Sequence, residues 1–182
     1  MFLWHTKMLI NKDRKLFFLS TLFFVLITTI IITSWFRYGY LYGGGDVGLP
    51  SYDPTRIFEI TKNIWWEAAA PGTTVPHGLT SVPLQFAQAI LQDTGLSYVA
   101  IQAILFWLLL LMMGYGMFLV GLSVFGNQKI GLAILAGLFY MFNPYMMIQV
   151  WHRFVHTTFF LAAALPFILL FWRSWIKKGT YL

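Results

Sequence analysis

The chain has 182 residues, of which 59% are hydrophobic and only 10% are charged, and its mean hydropathy is +0.71. A soluble domain is about half apolar and about a quarter charged, so this composition indicates a membrane protein. The chain contains no cysteine, which excludes disulfide bonds, thiolate metal sites and a cysteine nucleophile.

The first hydrophobic segment, residues 16–36, carries no charge and follows four basic residues, Lys7, Lys12, Arg14 and Lys15. A membrane-spanning helix needs about 20 apolar residues, so this segment predicts a spanning helix. A cleaved signal peptide is the alternative, but its apolar core would be only about 7–15 residues long and would end in small residues. The segment is longer and ends in bulky aromatic residues, so we expect it to stay uncleaved.

Residues 37–97 form a mixed segment, which we expect to be a loop on one side of the membrane. It holds five of the six acidic residues of the chain. Within it, Asp53-Pro54 predicts the start of a helix over residues 54–67, since Asp is a good N-cap and Pro fits the first helical position. The apolar residues that share one face of this helix are Ile57, Ile60, Ile64 and Trp65. The pattern predicts an amphipathic helix that lies in the membrane interface.

Three later apolar segments predict further spanning helices, at residues 99–122, 130–150 and 154–172. Asn143-Pro144 interrupts the second of these three, because proline removes a backbone donor and ends or kinks a helix. We therefore expect the helix proper at residues 130–142, with a second short piece after the proline. The predicted fold is an all-α polytopic membrane protein with about four transmembrane helices, and residues 1–182 form one membrane domain.

The distribution of basic residues predicts the orientation. With a cytoplasmic N-terminus, eight of the twelve Lys and Arg residues lie on the cytoplasmic side, and five of the six acidic residues lie outside. The positive net charge is then a topology signal, which argues against nucleic acid as a partner. We expect a multi-pass protein of the cell membrane, surrounded by membrane lipid, with the loop 37–97 on the outer face.

The loop begins with a short motif, Gly43-Gly44-Gly45-Asp46, directly after the first span. A carboxylate at this place lies beside hydrocarbon, and the glycines allow the backbone to approach a substrate closely. Asp46 is therefore a candidate base for chemistry on a lipid-linked substrate at the membrane surface. The alternative is a glycine-rich exit turn with a solvated aspartate.

Four other polar residues are candidates for binding the substrate, namely Asp53, Arg56, His152 and Arg153. Each has a structural alternative. An N-cap explains Asp53, and anchoring of the interfacial helix to headgroups explains Arg56. His152 and Arg153 precede the fourth span at its predicted outer end, where interfacial anchoring is the default. The residues do not identify a metal site, so a divalent metal as cofactor stays open.

Several segments together carry a family resemblance over about residues 15–175. They are Asp46-Val47-Gly48-Leu49, Asp53–Phe58, Gly78–Pro83, Ala133–Pro144 and the run from His152 to Trp172. Their order resembles the GT-C membrane glycosyltransferases and is most similar to the N-terminal region of the α-(1→3)-arabinofuranosyltransferase-like branch. The family has many more spanning helices, so we expect the chain to be the N-terminal part of a larger GT-C domain.

The resemblance implies a function. The donor would be a sugar linked to polyprenyl phosphate, the acceptor a cell-envelope glycan or a protein, and transfer would take place on the outer face of the membrane. An aspartate in the first outer loop acts as the base in this family, and Asp46 is the matching position. Inverting transfer needs such a carboxylate, because the acceptor hydroxyl loses its proton as it attacks the anomeric carbon.

Two alternatives to this function stay open. A non-enzymatic polytopic membrane protein, such as a transporter or flippase fragment or an assembly subunit, would have the same spans. A transporter predicts broken helices with polar groups at mid-membrane, and only Asn143-Pro144 hints at one. An inactive piece of a split gene would keep the resemblance but lack the rest of the active site.

Overall fold

The computed structural model describes residues 2–43, 53–63, 65–66, 73–74, 82–152 and 156–177. Within these ranges the helices are α1 (Phe2–Phe36), α2 (Pro54–Thr61), α3 (Val82–Asp93), α4 (Tyr98–Phe125), α5 (Ile130–Phe142), α6 (Pro144–Met146) and α7 (His156–Lys177). A 3-10 turn, Asn127–Lys129, precedes α5, and a π-helical segment, Met147–His152, follows α6. Two short strands, β1 (Trp65–Trp66) and β2 (Thr73–Thr74), pair in antiparallel fashion.

Four helical segments of the described chain are long and apolar enough to cross a membrane. They are Arg14–Phe36, Tyr98–Phe125, Asn127–Gln149 and Thr158–Ile176. The predicted all-α fold with four membrane-spanning helices is thereby confirmed, and each span lies within a few residues of its predicted position. The first helix begins earlier than its apolar segment, because the basic N-terminal residues continue the same helix.

Helix α4 lies at the centre of the bundle, where it contacts α1, α3, α5 and α7. In its most apolar stretch 44% of the residues are buried, against 22% in each of the other three spans. Ring contacts of Phe118 with Phe17 and of Phe106 with Phe36 show that α1 runs antiparallel to α4. We call the end where α1 finishes and α4 begins the loop end of the bundle.

Glycines on α4 let the neighbouring helices approach closely. A Cβ atom on Gly116 would lie 2.9 Å from the Phe167 ring of α7, and one on Gly121 would lie 2.8 Å from the Cα atom of Ala133 on α5. On α5, a Cβ atom on Gly137 would lie 2.6 Å from the carbonyl oxygen of Gly114. Apolar helices gain little from hydrophobic contact in lipid, so close packing over small residues is what holds such a bundle together.

Helix α2 is shorter than the sequence predicts, since it ends at Thr61 instead of continuing to residue 67. The Asn63 side chain donates to the Glu59 carbonyl oxygen at 3.0 Å, which gives the backbone an alternative to the next helical turn. Trp65 and Trp66 then pair with Thr74 and Thr73, in keeping with the strand preference of aromatic and β-branched residues. Within α2, the predicted apolar stripe therefore ends at Ile60.

The break at Asn143-Pro144 is confirmed. The Asn143 side chain accepts a hydrogen bond from the Met146 backbone at 3.1 Å and donates to the Tyr140 carbonyl oxygen at 2.8 Å. It thus closes α5 and caps α6, where Pro144 takes the first position. The chain then continues as the π-helical segment to His152 before α7 begins.

Candidate functional site

The chain leaves α1 at the loop end and is attached to the bundle again at Tyr42. The Gln102 side chain on α4 accepts a hydrogen bond from the Tyr42 backbone N–H at 2.7 Å and donates to the Tyr42 carbonyl oxygen at 2.6 Å. One amide side chain therefore pairs with both backbone groups of one residue, as a neighbouring strand would. Gln102 is 7% exposed, so this pairing also satisfies a polar group buried in the apolar helix.

The Tyr42 side chain reinforces the same attachment. Its hydroxyl donates to the Trp35 carbonyl oxygen at 2.8 Å, and its ring packs edge-on against Phe36 with the centroids 5.1 Å apart. Phe36 in turn contacts Phe106 of α4. The chain is thus held against the bundle immediately before the glycine-rich motif that contains Asp46.

A second attachment lies at Asp53, where the described chain resumes. Its Oδ1 atom accepts from the Arg56 backbone N–H at 3.1 Å, so the predicted N-cap of α2 is confirmed. The same oxygen accepts from the Gln92 side chain of α3 at 3.3 Å. Gln92 also accepts from the backbone N–H and the hydroxyl of Thr55, at 2.8 and 3.1 Å. Asp53 therefore joins α2 to α3, and its predicted role in substrate binding stays a prediction.

Asp46, the predicted base, lies outside the described residues, as do residues 44–52 around it. The two points that flank this stretch are both described. Tyr42 is attached to α4 and Asp53 to α3, and α3 packs directly on the first turns of α4 through Leu84 and Leu105. The two ends of the stretch are therefore attached to the same corner of the molecule.

Of the remaining predicted site residues, Arg56 and His152 belong to described elements. Arg56 is exposed on α2, and none of the described acidic side chains forms an ion pair with it. The nearby Lys62 instead pairs with Glu59. His152 is the last residue of the π-helical segment, and Arg153 lies outside the described residues.

A metal site was left open by the sequence, and the described side chains add nothing in its favour. In the ranges that the structure covers, no three His, Asp or Glu side chains come together as metal ligands. Asp46 lies outside these ranges.

The polar contacts that matter most at this end come from glutamines, which the sequence analysis did not single out. Gln102 is the one amide side chain in α4, which is otherwise almost entirely apolar. An unpaired amide there would be costly, so its presence already required a hydrogen-bonding partner. The spacing of Gln85 and Gln92, two helical turns apart on α3, was a second available signal.

Comparison with known proteins found no relative of the chain. No family model matches the chain, and neither the curated proteins nor the solved structures compared with it gave a match.

Proposed function

We propose that the chain is part of a membrane glycosyltransferase of the GT-C type, with Asp46 as the general base. The donor is a sugar carried on polyprenyl phosphate, and the acceptor is a cell-envelope glycan or a protein on the outer face of the membrane. The sequence resemblance over residues 15–175 supports this family and this donor.

One structural observation supports the role of Asp46, namely the attachment of Tyr42 to Gln102 at 2.7 and 2.6 Å. An extended chain advances at most about 3.6 Å per residue, so the Cα atom of Asp46 lies within about 14 Å of that of Tyr42. This reach supports a position of the carboxylate near the loop end of the bundle. In the predicted orientation this is the outer membrane surface, where the phosphate of a lipid-linked donor would lie.

The proposed reaction is a single inverting displacement. The Asp46 carboxylate takes the proton of the acceptor hydroxyl while that oxygen forms a bond to the anomeric carbon. The bond from this carbon to the phosphate oxygen breaks at the same time, and the electron pair leaves with polyprenyl phosphate. Because the leaving group is already a stable anion, no strong general acid is required. A cation near the phosphate would favour its departure, and Arg56 and Arg153 are the candidates from this chain.

The test is to replace Asp46 by Asn in the full-length gene product and to measure sugar transfer from a polyprenyl-phosphate donor in membranes. Asn keeps the size of the side chain and removes its basicity, so turnover should fall by about 10²–10⁴. The matched control is Asp53→Asn, which should retain most of the turnover, because Asn caps a helix about as well as Asp.

The two variants separate the possible outcomes. Near-normal turnover in Asp46→Asn, with loss in Asp53→Asn, would show that the wrong carboxylate has been chosen. If both variants transfer sugar at the normal rate, neither aspartate is the base. If the unaltered gene product transfers no sugar from any such donor, the non-enzymatic alternative is favoured.

A further inference from the structure

Helix α3 has three distinct faces. Leu84, Ala87 and Leu91 face α4, where they pack in a cluster with Ile101 and Leu105. The second face carries Gln85 and Gln92, which bond to α2. The third face carries Phe86 and Ile90, which are 51% and 49% exposed. Phe86 also touches the edge of α2, where its ring centroid lies 5.2 Å from that of Phe58.

The contact between α2 and α3 is polar at both ends. Thr55 and Asp53 bond to Gln92 at one end, and the Thr61 hydroxyl bonds to Gln85 at the other. A pair of helices surrounded by water buries its apolar side chains between the helices and exposes its polar ones. Here, hydrogen bonds lie between the helices, while Ile90 is exposed and Phe86 is half exposed in spite of its contact with Phe58. This arrangement fits surroundings that contain little water.

The place where α3 packs shows what those surroundings are. The 28 residues of α4 extend over about 42 Å, whereas the hydrocarbon core of a bilayer is about 30 Å thick. A centred α4 therefore extends about 6 Å beyond the core at each end. Ile101 and Leu105, which contact α3, lie about 4.5 and 10 Å from the first residue of α4. Helix α3 is thus level with the edge of the hydrocarbon.

Helix α4 also exposes apolar side chains at this level. Ile104 and Leu108 lie on α4 next to the residues that contact α3, and they are 42% and 44% exposed. If α4 crosses a bilayer, these two side chains face acyl chains. The charged residues of the helix pair lie elsewhere. Arg56, Glu59 and Lys62 are exposed on α2, and the one charged residue of α3 is at its end.

We propose that α3 lies in the membrane interface and inserts Phe86 and Ile90 among the acyl chains of the bilayer that α4 crosses. Helix α2 lies on its headgroup side. The lipid contact thus belongs chiefly to α3, rather than to the α2 stripe that the sequence predicts. The argument needs only that α4 spans the membrane, and it is independent of glycosyl transfer.

Spin-label accessibility tests this proposal directly, because the chain has no native cysteine. Single cysteines would replace Phe86 and Ile90, with Leu108→Cys as the lipid-facing control and Glu59→Cys as the polar control. The labelled proteins are reconstituted in phosphatidylcholine vesicles, and collisions with oxygen and with a water-soluble nickel chelate are compared. Labels at 86 and 90 should favour oxygen, as at 108, but at a shallower depth, and the label at 59 should favour nickel.

Two other accessibility patterns would overturn the proposal. If labels at 86 and 90 collide with nickel as readily as the label at 59 does, this face of α3 is in water. If they collide with neither reagent, protein covers the face. A nickel-accessible label at Leu108 would also refute the proposal, because α4 would then not cross the bilayer at that level.

A second measurement uses the unaltered protein, which avoids any effect of substitution on folding. Phosphatidylcholine with a photoactivatable group near the glycerol end of its acyl chain is irradiated in the same vesicles, and adducts are located by mass spectrometry. Adducts on Phe86 or Ile90, without adducts on residues 56–62, are expected. Adducts confined to residues 56–62 would show that α2, and not α3, contacts the acyl chains.

Discussion

At the scale of single residues, the loop end depends on side-chain amides that complete the hydrogen bonding of distant backbone groups. Gln102 reaches Tyr42, which is 60 residues away in the chain, and Gln92 reaches Thr55 across 37 residues. A helix cap is a local interaction, so Asp53 could be assigned from Asp-Pro alone, and the structure confirms it. The partner of Gln102 could not be assigned from sequence, because nothing local identifies a backbone group so far away.

The first residue-scale prediction concerns Gln102→Leu. Leucine has a similar volume and suits an apolar helix, but it leaves the N–H and C=O groups of Tyr42 without their partners at 2.7 and 2.6 Å. Because Tyr42 is half-buried, we expect a loss of about 1–3 kcal/mol in the free energy of unfolding in detergent. Hydrogen exchange of the Tyr42 amide should also become faster.

The matched control for this prediction is Gln128→Leu in the exposed turn before α5, which should leave both quantities unchanged. Unaltered protection of the Tyr42 amide in Gln102→Leu would show that the pairing of Gln102 with Tyr42 does not hold this segment. A similar loss of stability in both variants would point to an unspecific effect of removing an amide.

At the scale of elements, the sequence predicted the end of α5 well and the end of α2 poorly. The end of α5 follows from Asn143-Pro144, because the residue before a proline disfavours the helical conformation and asparagine suits the cap of the helix that follows. The end of α2 depends instead on a competition between a further helical turn and the pairing of Trp65–Trp66 with Thr73–Thr74. The second strand comes later in the chain and does not show in the helical periodicity. The periodicity alone therefore predicted too long a helix.

Glycine packing gives a prediction at this scale, for Gly137→Ala. The new Cβ atom would lie 2.6 Å from the Gly114 carbonyl oxygen on α4 and 2.6 Å from the Phe24 ring on α1. One of the three helices must move, which typically costs about 1–3 kcal/mol. Unfolding of the purified protein by a denaturing detergent should therefore occur at a lower denaturant fraction.

The chain offers a matched control on the same helix, Gly131→Ala. A Cβ atom at Gly131 meets nothing within 4 Å, so only the better helix propensity of alanine acts, and it favours the folded state by up to about 1 kcal/mol. Equal effects of the two substitutions would contradict the close contact of α1, α4 and α5. A stabilising effect of Gly137→Ala would contradict it more directly.

At the scale of the whole molecule, hydropathy predicted the number and approximate bounds of the spans, because crossing a bilayer imposes a minimum length of apolar helix. Hydropathy could not show that α4 is central, since the first span is at least as apolar as α4 but less buried. That position depends on which helix offers close contact on several sides. Gly114, Gly116 and Gly121 provide such contacts on α4. Hydropathy also says nothing of chemistry, and the role predicted for Asp46 comes from the family resemblance.

Orientation is the remaining prediction for the whole molecule, and it determines whether the loop end faces the outside, as the proposed reaction requires. Eight of the twelve basic residues would lie on the cytoplasmic side with the N-terminus inside. Exposed asparagines mark the two ends of the bundle, with Asn63 after α2 and Asn127 before α5. In intact cells, a membrane-impermeant maleimide should label Asn63→Cys, and it should label Asn127→Cys only after permeabilisation. The cysteine-free parent provides the background, and the reverse pattern would place the loop end, and with it Asp46, in the cytoplasm.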